Sequence, residues 1–121
     1  MGVAWFTADE WPRAVSRWPD LLAEMPADHL AYVRELQSRV MQMTDATGVR
    51  IVMVPLSVGG LLSFCSENGI AEPGSGRARG EYASSLLREG HGRPWPPERN
   101  EACWCGSGRK YKVCCATVEL A

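Results

Sequence analysis

Cysteines at positions 103, 105, 114 and 115 place four thiols within the thirteen residues "CWCGSGRKYKVCC", and the chain has only one other cysteine, Cys65. Thiols this dense can pair as disulfides, act as nucleophiles, or bind a soft metal ion as thiolates. A bridge between the neighbours 114 and 115 would be strained. The N-terminus, "MGVAWFTADEWPRAVSRW", has neither the basic start nor the apolar run of roughly 7–15 residues that a signal peptide needs. No stretch approaches the roughly 18 apolar residues of a membrane span. The longest apolar run, "VRIVMVPLSVGGLL", is broken by Pro55, Ser57 and two glycines. The expectation is a soluble, cytoplasmic protein whose thiols are reduced, which disfavours disulfides.

The metal reading fits the spacing. Trp104 separates the first two cysteines, and eight residues precede the adjacent second pair. Gly106-Ser107-Gly108 permits a tight turn, and a short helix from about Arg109 can bring the second pair back to the first. Four thiolates at about 2.3 Å from a Zn²⁺ ion close a tetrahedral shell and leave no position open to water, which is a structural site and not a catalytic one.

The stretch "RNEACWCGSGRKYKVCC" resembles the SEC-C zinc module, whose signature is C-x-C-x8-C followed by Cys or His around a G-S-G-[KR]-K-[YF] core. With its "WPPERN" approach on a small chain, it also resembles small actinobacterial SEC-C proteins. Where many members carry Pro between the first two cysteines, this chain has Trp104. The resemblance implies one Zn²⁺ per chain, with Cys103, Cys105, Cys114 and Cys115 as ligands. It further implies an adaptor, a zinc-stabilised and non-enzymatic binding protein that presents Arg99, Trp104, Arg109, Lys110, Tyr111 and Lys112 to a protein partner.

Two other functions are weighed. Cations interleaved with Trp104 and Tyr111 could pair with phosphates and stack on bases, giving RNA or ribosome contact. Only three cations lie between the cysteine pairs, however, and four thiolates with Zn²⁺ sum to −2, so the pull on a polyanion is limited. The alternative is enzymatic. Cys103 and Arg109 stand in a C-x5-R arrangement and residues 18–20 read Trp-Pro-Asp, a pairing found in cysteine-dependent phosphatases. Such a loop should follow a buried strand, whereas "RPWPPERNEA" precedes Cys103, and the other two cysteines would be left without a role.

The elements that must position the cluster read as α+β and mostly helical. Residues 1–92 carry 8 Arg and 11 Asp or Glu, whereas residues 93–121 carry 5 Arg or Lys and 3 Glu, so the basic end coincides with the cysteines. "VAWF" (3–6) is a strand. Thr7 and Glu10 form a capping-box pattern for a helix with Trp11, Val15, Trp18 and Leu22 at helical spacing. Leu30, Val33, Leu36 or Gln37, Val40 and Met43 mark a second helix, with Pro26 in its first turn and Gly48 at its stop. Residues 49–56 form a strand covered on both faces. Ser57 caps a helix ending at Asn68-Gly69, and 77–90 is a further helix weakened by Gly80. The order β-α-α-β-α-α over 1–92 implies a small two-stranded, parallel sheet. Residues 93–98 read as a Pro-rich linker, 99–116 as the zinc module and 117–121 as a tail. A second chain extending so small a sheet would make a homo-oligomer. Cys65, His29 and His91 have structural readings, because four thiols already suffice for the metal.

Overall fold

The apolar run near residue 50 becomes the middle strand of a three-stranded sheet, flanked on both sides by other strands and covered on both faces. The computed structural model describes residues 1–118, so Glu119–Ala121 of the expected tail lie outside the described residues. In order, the elements are β1 (Gly2–Phe6), α1 (Trp11–Arg17), α2 (Leu21–Glu24), α3 (His29–Thr47), β2 (Ile51–Leu56), α4 (Val58–Asn68), α5 (Gly76–Arg88) and β3 (Arg93–Trp95). Two 3₁₀ turns follow at Tyr111–Val113 and Cys115–Thr117.

Strand β1 pairs with β2 in parallel, Val3 opposite Met53 and Phe6 opposite Leu56. The predicted two-stranded sheet gains a third member, because β3 runs antiparallel to β2 with Ile51 opposite Trp95. Part of the stretch expected to be a linker is therefore sheet. Its prolines are tolerated because β3 is an edge. Gly92 lets the chain enter this close to β2: its φ is +105°, and a Cβ there would lie 2.7 Å from Val52 Cγ1.

Helix boundaries follow local chemistry. The Asp28 side chain accepts from the Ala31 N–H at 3.0 Å and starts α3, and Gly48 ends it with φ +67°. Pro26, expected in the first turn, lies before that cap. Pro19 disfavours helical backbone at Trp18, so the helix expected to reach Leu22 divides into α1 and the single turn α2. The Thr7–Glu10 capping box does not form. The Glu10 carboxylate instead accepts from the Val58 N–H at 3.1 Å, at the start of α4, where Ser57 Oγ accepts from Gly60 N–H at 3.0 Å. A carboxylate there also suits the positive end of the helix.

Helices α4 and α5 pack together, and α5 lies against β1 and β2. At the end of β1, Tyr32 Oη accepts from the Phe6 N–H at 2.9 Å, and His29 Nε2 donates to the Phe6 carbonyl at 2.8 Å. The Tyr32 ring stacks on Trp11 at 3.9 Å, and burial pushes the Tyr32 hydroxyl up to about 12.

On the other side, Trp5 meets Trp104 edge to face at 5.1 Å, so a side chain of the cysteine-rich segment completes the main core. Gln37 of α3 is 1% exposed and, among the described residues, is the buried polar residue of that core. Its Oε1 accepts from Trp95 Nε1 and Trp104 Nε1, both at 3.0 Å, and its Nε2 donates to Tyr111 Oη at 2.9 Å. The amide orientation follows from chemistry, since an indole N–H can only donate.

Two stability predictions follow from these contacts. Gln37→Leu strands two indole N–H groups and one hydroxyl, and each orphaned buried group costs about 1–3 kcal/mol, so urea unfolding should report a loss of about 3 kcal/mol or more. Glu10→Ala removes one charge-assisted cap and should cost about 1 kcal/mol in the same assay, with helix α4 amides losing hydrogen-exchange protection first.

Candidate metal centre

The cysteine-rich segment folds as a narrow loop closed by backbone hydrogen bonds. Cys103 N–H donates to the Arg109 carbonyl at 2.8 Å, Tyr111 N–H to Glu101 at 2.8 Å and Lys112 N–H to Arg99 at 3.1 Å. Ala102 and Lys110 form an antiparallel bridge. At the tip, Gly106 and Gly108 both have φ +80°, the left-handed conformation that glycine adopts at least cost. The chain then turns through Tyr111–Val113, which returns Cys114 and Cys115 to the first pair. The expected tight turn forms at residues 106–108, and the short helix expected from about Arg109 is a 3₁₀ turn that starts at Tyr111. From outside the loop, the Arg93 guanidinium donates to the carbonyls of Ala102 at 3.1 Å and Cys103 at 3.4 Å.

This folding gathers four sulfurs. The Sγ atoms of Cys103, Cys105, Cys114 and Cys115 all lie within 4.8 Å of one another, and Cys105 and Cys114 are 3.6 Å apart. Metal–sulfur bonds of about 2.3 Å in a tetrahedron require sulfur–sulfur edges of about 3.8 Å, so the four could hold one metal ion with only small adjustment. Cys103, Cys105 and Cys115 are buried and Cys114 is half-buried, with Ser107 Oγ 3.3 Å from its sulfur.

The electrostatics of the cluster suit a cation. Contacts with the Cys103 and Cys115 side chains hold the Cys105 thiol far below its ordinary range, whereas Cys103 and Cys105 push Cys115 far above it and Cys105 pushes Cys103 up. Thiols packed this closely compete for the same protons. A divalent ion would replace those protons and satisfy all four sulfurs together.

The residues expected to face a partner separate into two groups. Arg99, Arg109, Lys110 and Lys112 are exposed, as a docking surface requires. Trp104 and Tyr111 are not: Trp104 is 2% exposed and both are tied to Gln37, so they anchor the segment to α3 and cannot stack on a ligand. Burial pushes the Tyr111 hydroxyl up.

The phosphatase-like pairing is not assembled. Cys103 is 1% exposed and sits among three other cysteines, while Asp20 borders a different groove with Trp18, Gly74 and Arg79. Cys65 is buried in the core, and burial pushes its thiol up, away from reactivity. Sequence reading missed Gln37 and Trp95 as supports of the centre. The one available signal was a polar residue at an apolar helical position.

Comparison with known proteins places this geometry. Residues 99–117 match the family described as "SEC-C motif". The Protein translocase subunit SecA of Alcanivorax borkumensis is 38% identical over 52 residues, which is 43% of this chain and 5% of that protein. The chain thus spans a small fraction of the relative it matches. No solved structure matches it. Residues 99–117 are a SEC-C motif, carrying a four-cysteine cluster suited to metal and bonded through Gln37 to an α+β body.

Proposed function

We propose that this is a zinc-stabilised, non-enzymatic binding protein in which Cys103, Cys105, Cys114 and Cys115 hold one Zn²⁺ and the exposed cations around them dock on an acidic protein surface. The observation that carries the reading is the closed sulfur cluster itself. Four thiolates fill a tetrahedral shell, so the ion has no position for water or substrate and acts by fixing structure. An all-sulfur donor set suits zinc among the available divalent ions.

Docking rests on the rim. Arg99, Lys110 and Lys112 are exposed, and among the described residues none has a carboxylate within salt-bridge reach. The related translocase subunit is by its name part of an assembly that handles protein. A protein partner is therefore favoured over RNA or a ribosome, because burial of Trp104 and Tyr111 removes the aromatic platforms on which bases would stack. No described helix is long and apolar enough to cross a membrane.

Protein purified without chelator should contain one zinc per chain, with an X-ray absorption spectrum fitted by four sulfurs at about 2.3 Å. A spectrum that requires nitrogen ligands would refute the assignment. Thiolates must be deprotonated to bind, so the metal-dependent stability should be present at neutral pH and lost as pH falls below about 5, where protons displace the ion.

Reversing Arg99, Lys110 and Lys112 to Glu should abolish capture of an acidic protein partner and leave zinc content and thermal stability nearly unchanged, since exposed charges contribute little to folding. Undiminished capture would move the docking surface elsewhere. Loss of affinity that steepens strongly with salt for a nucleic acid, in place of a protein, would favour the RNA reading.

A further inference from the structure

A notch of about 20 Å³ joins α3 to the metal centre, lined by Leu30, Val33 and Arg34 on one side and by Arg109, Cys114 and Cys115 on the other. Two of the four cysteines and two arginines therefore border the same small space. A divalent ion with four thiolates carries a charge of −2 in a largely buried site, and such a charge is costly to bury unless cations or hydrogen bonds compensate it. The usual source of compensation is the loop around the metal. In this loop the Arg109 guanidinium already donates to the Val113 carbonyl, which directs it along the turn. Lys110 and Lys112 do not line the notch.

Arg34, an exposed residue that also lines the notch, has no such commitment. Among the described residues it has no ion pair, and its neighbour Glu35 is taken by Arg39 at 3.2 Å. It lies outside residues 99–117, on the helix that also supplies Gln37. We propose that Arg34 is a counter-charge to the metal–thiolate cluster, so that the α+β body, and not the SEC-C motif alone, sets how tightly the metal is held. The proposal rests on the reading that the four cysteines bind metal. It makes Arg34 a positioning residue, acting through charge on ligands it does not replace.

The test is Zn²⁺ affinity of the full-length chain, measured by competition with a chromophoric chelator, for the parent, Arg34→Met and Arg34→Lys. Met keeps much of the length and apolar stem without the charge, whereas Lys keeps the charge. Arg34→Met should bind zinc about five- to tenfold more weakly, Arg34→Lys should stay within about twofold of the parent, and the gap should shrink in about 1 M salt. Urea unfolding of each zinc-loaded variant controls for a folding defect. Equal affinity of parent and Arg34→Met would overturn the counter-charge. So would an Arg34→Lys variant as weak as Arg34→Met, or a gap that persists in high salt, since either outcome indicates packing and not charge. A parent that binds no zinc would overturn the metal reading itself, which separates the two failures.

Discussion

The architecture depends on one buried amide. Gln37 sits in the middle of α3, where its side chain faces the core, and an amide sealed from water must find partners for its oxygen and its nitrogen. It finds them in Trp95, Trp104 and Tyr111, three aromatic residues that all come from the last third of the chain. Each of the three also contributes apolar area, so the polar contacts set the positions of rings that the hydrophobic effect would bury in several ways. With Trp95 fixed, β3 has its register against β2. With Trp104 fixed, Cys103 and Cys105 on either side of it have little freedom left. Tyr111 sets the start of the turn that brings back Cys114 and Cys115.

Much of this was legible from residue types and spacing, and the exceptions share a cause. Helices α3 and α4 and the Ser57 and Gly69 boundaries follow from interactions within a few residues, which a sequence displays directly. The parallel pairing of β1 with β2 follows from two apolar runs joined by a helical crossover. The four-cysteine cluster was legible because ligand spacing is itself local. What escaped is long range. Glu10 looked like half of a local capping box, yet its carboxylate serves a helix 48 residues away. Residues 93–95 looked like a linker because two prolines flank Trp95, and only the presence of an open β2 edge makes them a strand. Trp104 and Tyr111 lie among charges, which suggested an exposed recognition face. Their burial depends on Gln37, more than 60 residues earlier.

Those long-range contacts change how the SEC-C motif has to be understood in this chain. Within residues 98–116 the large apolar side chains are chiefly Trp104, Tyr111 and Val113, and Val113 is 48% exposed. Ordering each residue costs roughly 1–2 kcal/mol in backbone entropy, whereas burying two such side chains returns roughly 3–6 kcal/mol, so the segment cannot fold on its own burial. A structural metal in the four-cysteine cluster would supply the largest missing part. The body supplies another, because Trp104 packs on Trp5, Gln37 satisfies Trp104 and Tyr111, and Arg93 holds two carbonyls of the loop. An independent bead on a stiff linker would need none of these contacts. The shared core makes metal site and body thermodynamically linked, in the sense that whatever binds one stabilises the other. The direction of that linkage has a functional consequence. A partner docking on the exposed cations, as proposed, would read a surface positioned on one side by the cysteine cluster and on the other by α3. On that reading, recognition would be a property of the whole α+β body, although the cysteines and the exposed cations around them lie within residues 99–117.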